Sequence, residues 1–218
     1  QDYRNIELIV IDDGSKDNSV EIINKMLPIC QQRFVRFEFR SRPNKGLCAT
    51  LNEALEWSNG KYFSPLASDD IALSHKISFL VEKIEKSDDS AVFGTIRSIG
   101  KDDHTFDLGS HKLVHTFDDL LMQRSIPYAP AALINLEDIK YVGGYVNDIK
   151  IEDWYMWLKL TEAGRSLSSY NTVISLYRKH NNNTTNNINI MHTARERILN
   201  NFYNSKLYFN AINNNILV

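Results

Sequence analysis

Two short apolar runs in this chain each end at a pair of adjacent aspartates, and the segments around them alternate between strand-like and helix-like patterns. Ile6-Glu7-Leu8-Ile9-Val10-Ile11 is mostly apolar and β-branched and stops at Asp12-Asp13-Gly14-Ser15, the pattern of a buried parallel strand ending in a turn. A helix follows. With Asp17 and Asn18 as caps, Val20, Ile22, Ile23, Met26 and Leu27 recur at helical spacing up to Pro28, where the pattern is expected to break. Phe34 to Phe39 alternates like a half-exposed strand, Lys45 to Ser58 is helical with Asn59-Gly60 as a left-handed cap, and Lys61 to Leu66 is the second apolar run, delivering Ser68-Asp69-Asp70. His75 to Lys86 reads as an amphipathic helix and Ala91 to Ile99 as a strand. Alternation at these intervals predicts an α/β layer on a mostly parallel sheet. Ligands in such sheets gather beyond the carboxyl ends of the strands, which puts Asp12, Asp13, Asp69 and Asp70 on one rim.

The second half is less regular. Lys112 to Phe117 and Ala131 to Asn135 read as short strands, Asp118 to Arg124 as a helix, and Leu136 to Val142 as a helix closed by Gly143-Gly144. Glu152 to Ala163 is an aromatic-rich helix ending at Gly164, and Thr172 to Arg178 is a strand. Asn181 to Asn189 has the Asn- and Thr-rich composition of a flexible loop. A single final helix is expected from Ile190 to Ile212, with Arg195, Arg197 and Lys206 beside Phe202, Tyr203, Tyr208 and Phe209. No internal repeat is visible. The expected organisation is one domain over residues 1–189, divided near residue 98, with a helical extension over 190–218.

Composition excludes several alternatives. The 218 residues are 43% hydrophobic, enough for a sizeable core, and 25 basic against 27 acidic side chains give a net charge of -2, without the basic excess of a nucleic-acid binder. No run approaches the roughly 18 apolar residues of a spanning helix, and the opening residues do not read as a signal peptide. Cys30 and Cys48 fit packing in a reducing cytoplasm better than a disulfide framework or a zinc site.

Adjacent carboxylates at a strand tip repel unless a positive charge sits beside them. For Asp69-Asp70, a divalent cation shared with phosphate oxygens resolves the repulsion; a helix cap is an equally good reading of the pair alone. Asp13 can accept from a base or ribose hydroxyl while Asp70 holds metal on the diphosphate of the same ligand, although Asp12-Asp13-Gly14-Ser15 by itself is also an ordinary turn. Glu152-Asp153-Trp154 opens a helix beside two tryptophans. Asp153 there is either a partly desolvated general base for a hydroxyl nucleophile or a carboxylate answering the helix dipole. Arg178 and His180 end a strand and can donate to leaving phosphates or ligate a metal, though an isolated Arg-x-His is usually structural. The other histidines, at 75, 104, 111, 115 and 192, show no metal spacing.

In order, Ile9-Val10-Ile11-Asp12-Asp13-Gly14-Ser15, Asn44-Lys45-Gly46-Leu47 with Leu51-Asn52, Gly60-Lys61-Tyr62 running into Ser68-Asp69-Asp70, Gly143-Gly144-Tyr145 and Glu152-Asp153 resemble the family 2 glycosyltransferases of the GT-A fold. The resemblance covers roughly residues 3 to 180 and implies a Rossmann-like sheet flanked by helices. It further implies inverting transfer of one hexose from a nucleotide diphosphate sugar, a UDP-sugar for preference, with Mg or Mn as cofactor. Carried over by position, Asp13 reads the uracil or ribose, and Asp12, Gly14, Ser15, Lys45, Gly46, Asn52, Ser68, Asp69 and Arg178 line the donor. Asp70 and His180 are the metal ligands, Asp153 is the base with Glu152 beside it, and Trp154 and Tyr128 lie on the acceptor side. The implied acceptor is a glycan or lipid-linked sugar in bacterial surface polysaccharide synthesis, at the cytoplasmic face of the membrane. The final helix suits either that membrane surface or packing against the domain or a second subunit, with packing the better fit. Three departures stand out. The family opens with a strand and helix that would precede Gln1, so the resemblance implies that this unit lies outside the present sequence and that its neighbours have open edges. Leu51 replaces an Arg common in the family. The Gln-x-x-Arg-Trp motif of processive synthases is absent, which favours single-sugar transfer.

Overall fold

The apolar run that stops at the first acidic pair forms β1 (Glu7–Asp12), which pairs in parallel with β2 (Arg36–Ser41), so that Asp12 stands opposite Ser41. The crossover is α1 (Ser19–Arg33), whose first turn is anchored by Asp17 Oδ1 accepting from Ser19 N at 3.0 Å. The helix does not break at Pro28 but runs through it. Proline removes the bond to the Asn24 carbonyl, and because Asn24 and Pro28 are both exposed, water can take the place of the lost donor. In this computed structural model, residues 1–100, 103–181, 183 and 186–216 are described; Asn182, Thr184 and Thr185 of the Asn-rich loop lie outside them.

Among the described residues the β1–β2 pair is separate from a six-stranded sheet. That sheet is built from β3 (Tyr62–Phe63), β4 (Ile71–Ala72), β5 (Ala91–Gly100), β6 (Lys112–His115), β7 (Ala132–Asn135) and β8 (Leu167–Lys179). Its order is β3-β7-β5-β8-β4, with β6 also on β8. Only β5–β8 is parallel; β3–β7, β4–β8, β5–β7 and β6–β8 are antiparallel. The sheet is therefore mixed rather than mostly parallel. Strands buried on both faces read as the same apolar runs in either direction, so the pattern that located them could not orient them. The division expected near residue 98 falls inside β5 and marks no break in the sheet.

Local chemistry moves several boundaries. β3 is only two residues long because Pro65 has no N–H to continue the ladder, and Ser64 Oγ instead donates to the Ala132 carbonyl at 2.7 Å. The helix α2 (Leu47–Trp57) stops where Ser58 turns extended, its N–H and Oγ both donating to Ala54 O. Gly60 takes no left-handed conformation, so the expected cap is not used. The helices α3 (Lys76–Glu85) and α4 (Phe117–Leu121) follow. Both α5 (Leu136–Tyr141) and α6 (Glu152–Glu162) end as expected, at Gly143-Gly144 with φ of 90° and 70° and at Gly164 with φ of 76°.

The central strand β5 divides the core. Ala91 and Phe93 join Leu120, Ile134, Trp154 and Trp157 under α4 and α6, while Val92 and Ile96 join Leu80, Ile84 and Ile174 under α3. The expected final helix is two helices, α7 (Ile188–Asn200) and α8 (Tyr208–Ile216). Between them Phe202 turns into the core, with ring centroids 5.4 Å from Phe117 and 5.9 Å from Tyr155, which forces the chain to fold back. His192 Nε2 and the Ile216 carbonyl, 3.0 Å apart, join the two helices. Packing therefore claims the most buried aromatic residue of the extension.

Candidate active site

The turn after β1 is held by its own carboxylates. Asp12 is 6% exposed; Oδ1 accepts from Ser15 N at 3.2 Å and Oδ2 from Ser41 Oγ at 2.8 Å. The bonds from Ser15 and Ser41 hold its carboxyl below the ordinary value. Asp12 thus serves the turn from inside rather than lining the rim. Gly14 has φ of 88°, and a Cβ there would sit 2.8 Å from Asn44 N, so the two loops meet at a distance that only glycine allows.

Asp13 reaches across to the segment before α2. Its Oδ1 accepts from Lys45 N at 2.8 Å and from Arg42 Nη1, its Oδ2 accepts from Gly46 N at 2.9 Å, and Asn44 Nδ2 donates to its carbonyl at 2.8 Å. Burial pushes the Asp13 carboxyl up, but the Lys45 and Gly46 amides and the Arg42 guanidinium outweigh it and keep the group ionised below the usual range. Lys45 and Gly46 therefore meet Asp13 through their backbone amides.

Asn52, placed at the donor by the resemblance, is engaged elsewhere. Its Oδ1 accepts from Tyr145 N at 2.8 Å and its Nδ2 donates to Tyr145 O at 2.7 Å. The neighbouring Gly144 would place a Cβ 2.8 Å from the same Oδ1, so this glycine is what lets the loop lie against α2. On the same helix, Cys48 Sγ lies 3.4 Å from the Ile149 carbonyl, and burial together with the Glu152 charge lifts its thiol to about 11.

The second acidic pair is closed by β8. Pairing of Ile71 with Leu176 brings the turn before β4 beside the end of β8. Asp70 Oδ1 accepts from Arg178 N at 2.9 Å, Arg178 Nε donates to Asp69 O at 3.0 Å, and His180 Nε2 lies 3.0 Å from Asp69 Oδ2. Burial, and then the charge of Asp69, push the Asp70 carboxyl up. Ser68 is exposed just before the pair. Four residues singled out by sequence, Asp69, Asp70, Arg178 and His180, are thus brought together over more than a hundred positions. Among the described residues no three His, Cys, Asp or Glu side chains converge tightly enough to enclose a metal. The oxygen donors of Asp69 and Asp70 are nevertheless of the type that suits a hard divalent ion taking the rest of its shell from phosphate and water, with the His180 imidazole beside Asp69.

Beneath this turn lies Lys76, 1% exposed, whose Nζ donates to Pro130 O at 2.8 Å; the same carbonyl accepts from Ser175 Oγ at 2.6 Å. Burial lowers its pKa to about 8 against the attraction of Asp70. Sequence reasoning passed over Lys76, because a lysine in an amphipathic helix pattern signals solvent. It also passed over Arg42, whose only signal is a basic residue at the end of a strand, beside Pro43.

At the start of α6, Asp153 Oδ1 accepts from Trp154 N at 2.7 Å. Burial and then the Asp153 charge push the Glu152 carboxyl up to about 8, and burial raises Asp153 as well. Trp154 is not on an acceptor face: it is 2% exposed, with Nε1 donating to Leu120 O at 2.9 Å, because the period of α6 turns it into the core. Tyr128 is half-buried at the start of a 3-10 turn over Ala129–Ala131, with its ring 5.1 Å from Phe106, and burial raises its phenol.

A mixed sheet flanked by helices, with one acidic turn at its β4 edge and a second at the end of the separate β1–β2 pair, matches the GT-A architecture. The likeness extends to S. aureus TarS in complex with UDP-GlcNAc, with a TM-score of 0.71 and 14% identity over 95% of this chain and 63% of that one. A mannosyltransferase from Pyrobaculum calidifontis in complex with GDP-Man and Mn2+ has a TM-score of 0.69 and 13% identity over 91% and 55%. Residues 1–135 match Glycosyl transferase family 2, and the chain belongs to that family. An uncharacterized glycosyltransferase of Haemophilus influenzae is 26% identical over 206 residues, 85% of this chain and 60% of the relative. The Escherichia coli UDP-Glc:alpha-D-GlcNAc-diphosphoundecaprenol beta-1,3-glucosyltransferase WfaP is 28% identical over 183 residues, 83% and 68% respectively. The chain thus spans about 60% of the length of the Haemophilus relative. Among the described residues no helix is long and apolar enough to cross a membrane.

Proposed function

We propose that this chain moves one hexose from a nucleotide diphosphate sugar, a UDP-sugar for preference, to an acceptor hydroxyl with inversion. The observation that carries the reading is the meeting of Asp69, Asp70, Arg178 and His180, which assembles carboxylate, guanidinium and imidazole where a diphosphate would need them. Asp70, with His180, is the metal position. A divalent Mg or Mn ion there would offset the charge that develops on the departing diphosphate. Asp153, raised by burial, takes the acceptor proton as the acceptor oxygen bonds to the anomeric carbon and the bond from that carbon to the diphosphate oxygen breaks. Direct displacement inverts the centre. Glu152, also raised by burial and by the Asp153 charge, keeps a second negative charge from accumulating beside the base. Asp13 contacts the nucleoside, and Tyr128 lies on the acceptor side.

The E. coli relative is named for a UDP-glucose donor and a diphosphoundecaprenol-linked acceptor, which supports a lipid-linked or glycan acceptor in surface polysaccharide synthesis at the inner face of a bacterial membrane. The test is product analysis with the D153N and D70A variants. Release of nucleoside diphosphate, lost in D153N while donor binding survives, fits the reading. Pyrophosphate release, or transfer undiminished in D153N, refutes it. Donor binding that ignores both EDTA and D70A removes the metal position.

A further inference from the structure

Arg42 follows β2 and has only 13% of its side chain exposed. Nη1 pairs with Asp13, Nε donates to Glu53 Oε2 at 2.7 Å and Nη2 donates to Thr50 Oγ1 at 3.0 Å. Thr50 Oγ1 in turn donates to Gly46 O at 3.0 Å, and Arg42 N donates to Asp12 O at 3.1 Å. One guanidinium therefore joins the turn after β1, the end of β2 and two turns of α2. It is itself held from behind. Glu53 Oε1 accepts from Arg40 Nη1 at 2.9 Å, Arg40 Nε donates to Glu38 Oε1 at 2.7 Å, and Glu38 Oε2 accepts from Trp57 Nε1 at 2.6 Å. Arg36 lies 3.9 Å over the Trp57 ring. This line of alternating charge along the β2–α2 seam ends at the Asp13 carboxylate.

We infer that Arg42 is a positioning residue of the donor site, which fixes the orientation of the Asp13 carboxylate and so decides which nucleobase edge that carboxylate can accept. The inference rests on Asp13 being a nucleoside contact, as proposed above. Each guanidinium nitrogen donates inside the protein, which places Arg42 to act through Asp13. A carboxylate offers about four lone-pair positions. Lys45 N and Arg42 Nη1 occupy Oδ1, and Gly46 N occupies one position on Oδ2, which leaves a single acceptor position of fixed direction. An imino N–H fits it. Uracil carries one at N3 and guanine at N1, whereas the ring nitrogen of neutral cytosine is an acceptor and its only donor on that edge is the exocyclic amino group, displaced from the ring-nitrogen position. A planar fork is needed for this geometry, and lysine cannot reproduce it.

The experiment is calorimetric titration of the whole chain, with Mn2+ present, using UDP, GDP and CDP against wild type, R42M, R42K, E53Q and D13A. Wild type is expected to bind the better of UDP and GDP at least about tenfold more tightly than CDP, because a polar site rejects an analogue that leaves it unpaired. R42M and R42K should each shrink that ratio about fivefold or more, with E53Q between them and wild type. A purely architectural role would lower the melting temperature and the fraction of chains that bind but leave the ratio alone. If R42M does not fold, R42K and E53Q carry the test. A wild-type ratio in the Arg42 and Glu53 variants together with a lost ratio in D13A overturns the inference and leaves Asp13 as the base contact. A wild-type ratio in D13A removes the Asp13 contact and the inference with it.

Discussion

Replacing Lys76 by Met should make the protein more stable at about pH 7 and less responsive to alkali. The ammonium is 1% exposed, and the fall of its pKa from 10.5 to about 8 corresponds to roughly 3 kcal/mol of disfavoured charge at neutral pH. Methionine of similar length removes that cost. It also forfeits the bond to Pro130 O, about 1 kcal/mol, although that carbonyl keeps Ser175 Oγ at 2.6 Å. Asp70, left without the ammonium, returns part of the gain, so a net stabilisation of about 1–2 kcal/mol is expected. The pH dependence is the sharper signature. Between the folded value near 8 and the unfolded value near 10.5 the unfolded chain holds a proton that the folded chain has released. Wild-type stability should therefore rise with pH across that window, by up to about 1.4 kcal/mol per pH unit relative to K76M. The contribution is complete above the unfolded value and lost as pH falls through the folded one. Urea unfolding of both proteins from neutral pH to about pH 10 measures it. A variant less stable than wild type at neutral pH, by an amount that does not change with pH, would refute the argument that this lysine is buried at a cost.

Glu152→Gln should show the opposite slope. The folded carboxyl is raised from 4.5 to about 8, so wild-type stability is lost as pH rises through that window, and the advantage of E152Q in thermal melts should grow across it; parallel curves would contradict the burial of the pair. Asn52→Ala removes both bonds to Tyr145 and should cost about 2 kcal/mol in chemical denaturation. N52D should lose nearly as much, because a carboxylate cannot donate to the Tyr145 carbonyl. Phe202→Ala should cost about 3 kcal/mol or more and open residues 201–207 to limited proteolysis; unchanged cleavage would mean that Phe202 does not secure the α7–α8 pair.

Periodicity located nearly every element, because burial imposes it. It failed where one residue decided the outcome. Pro65 cut β3 short, exposure let α1 continue past Pro28, and the insertion of Phe202 into the core split one amphipathic pattern into α7 and α8. Strand direction was beyond its reach, since an apolar run looks alike parallel and antiparallel, and only the register of β4 and β5 on β8 shows which way each runs. β4 itself, two residues long, has no period to detect.

At the site, the residue types were legible and their tasks were not. An acidic pair at a strand end can face a ligand or organise its own turn, and here the four aspartates of the rim divide. Asp12 serves the turn, Asp13 spans to α2, and Asp69 and Asp70 meet the end of β8. The same holds for the segment from Asn44 to Asn52. Its first part receives Asp13 and its last residue grips Tyr145, a position 93 residues away. This makes α2 and the residues just before it the strut between the turn after β1 and the loop that leads into Glu152-Asp153. Cys48 lies in the first turn of α2 and feels the Glu152 charge. A motif that reads as a set of ligand contacts therefore spends much of its chemistry holding two halves of a site at a fixed separation. The in-line displacement proposed above would use that arrangement, since nucleophile, base and leaving group must be set before the bond changes begin.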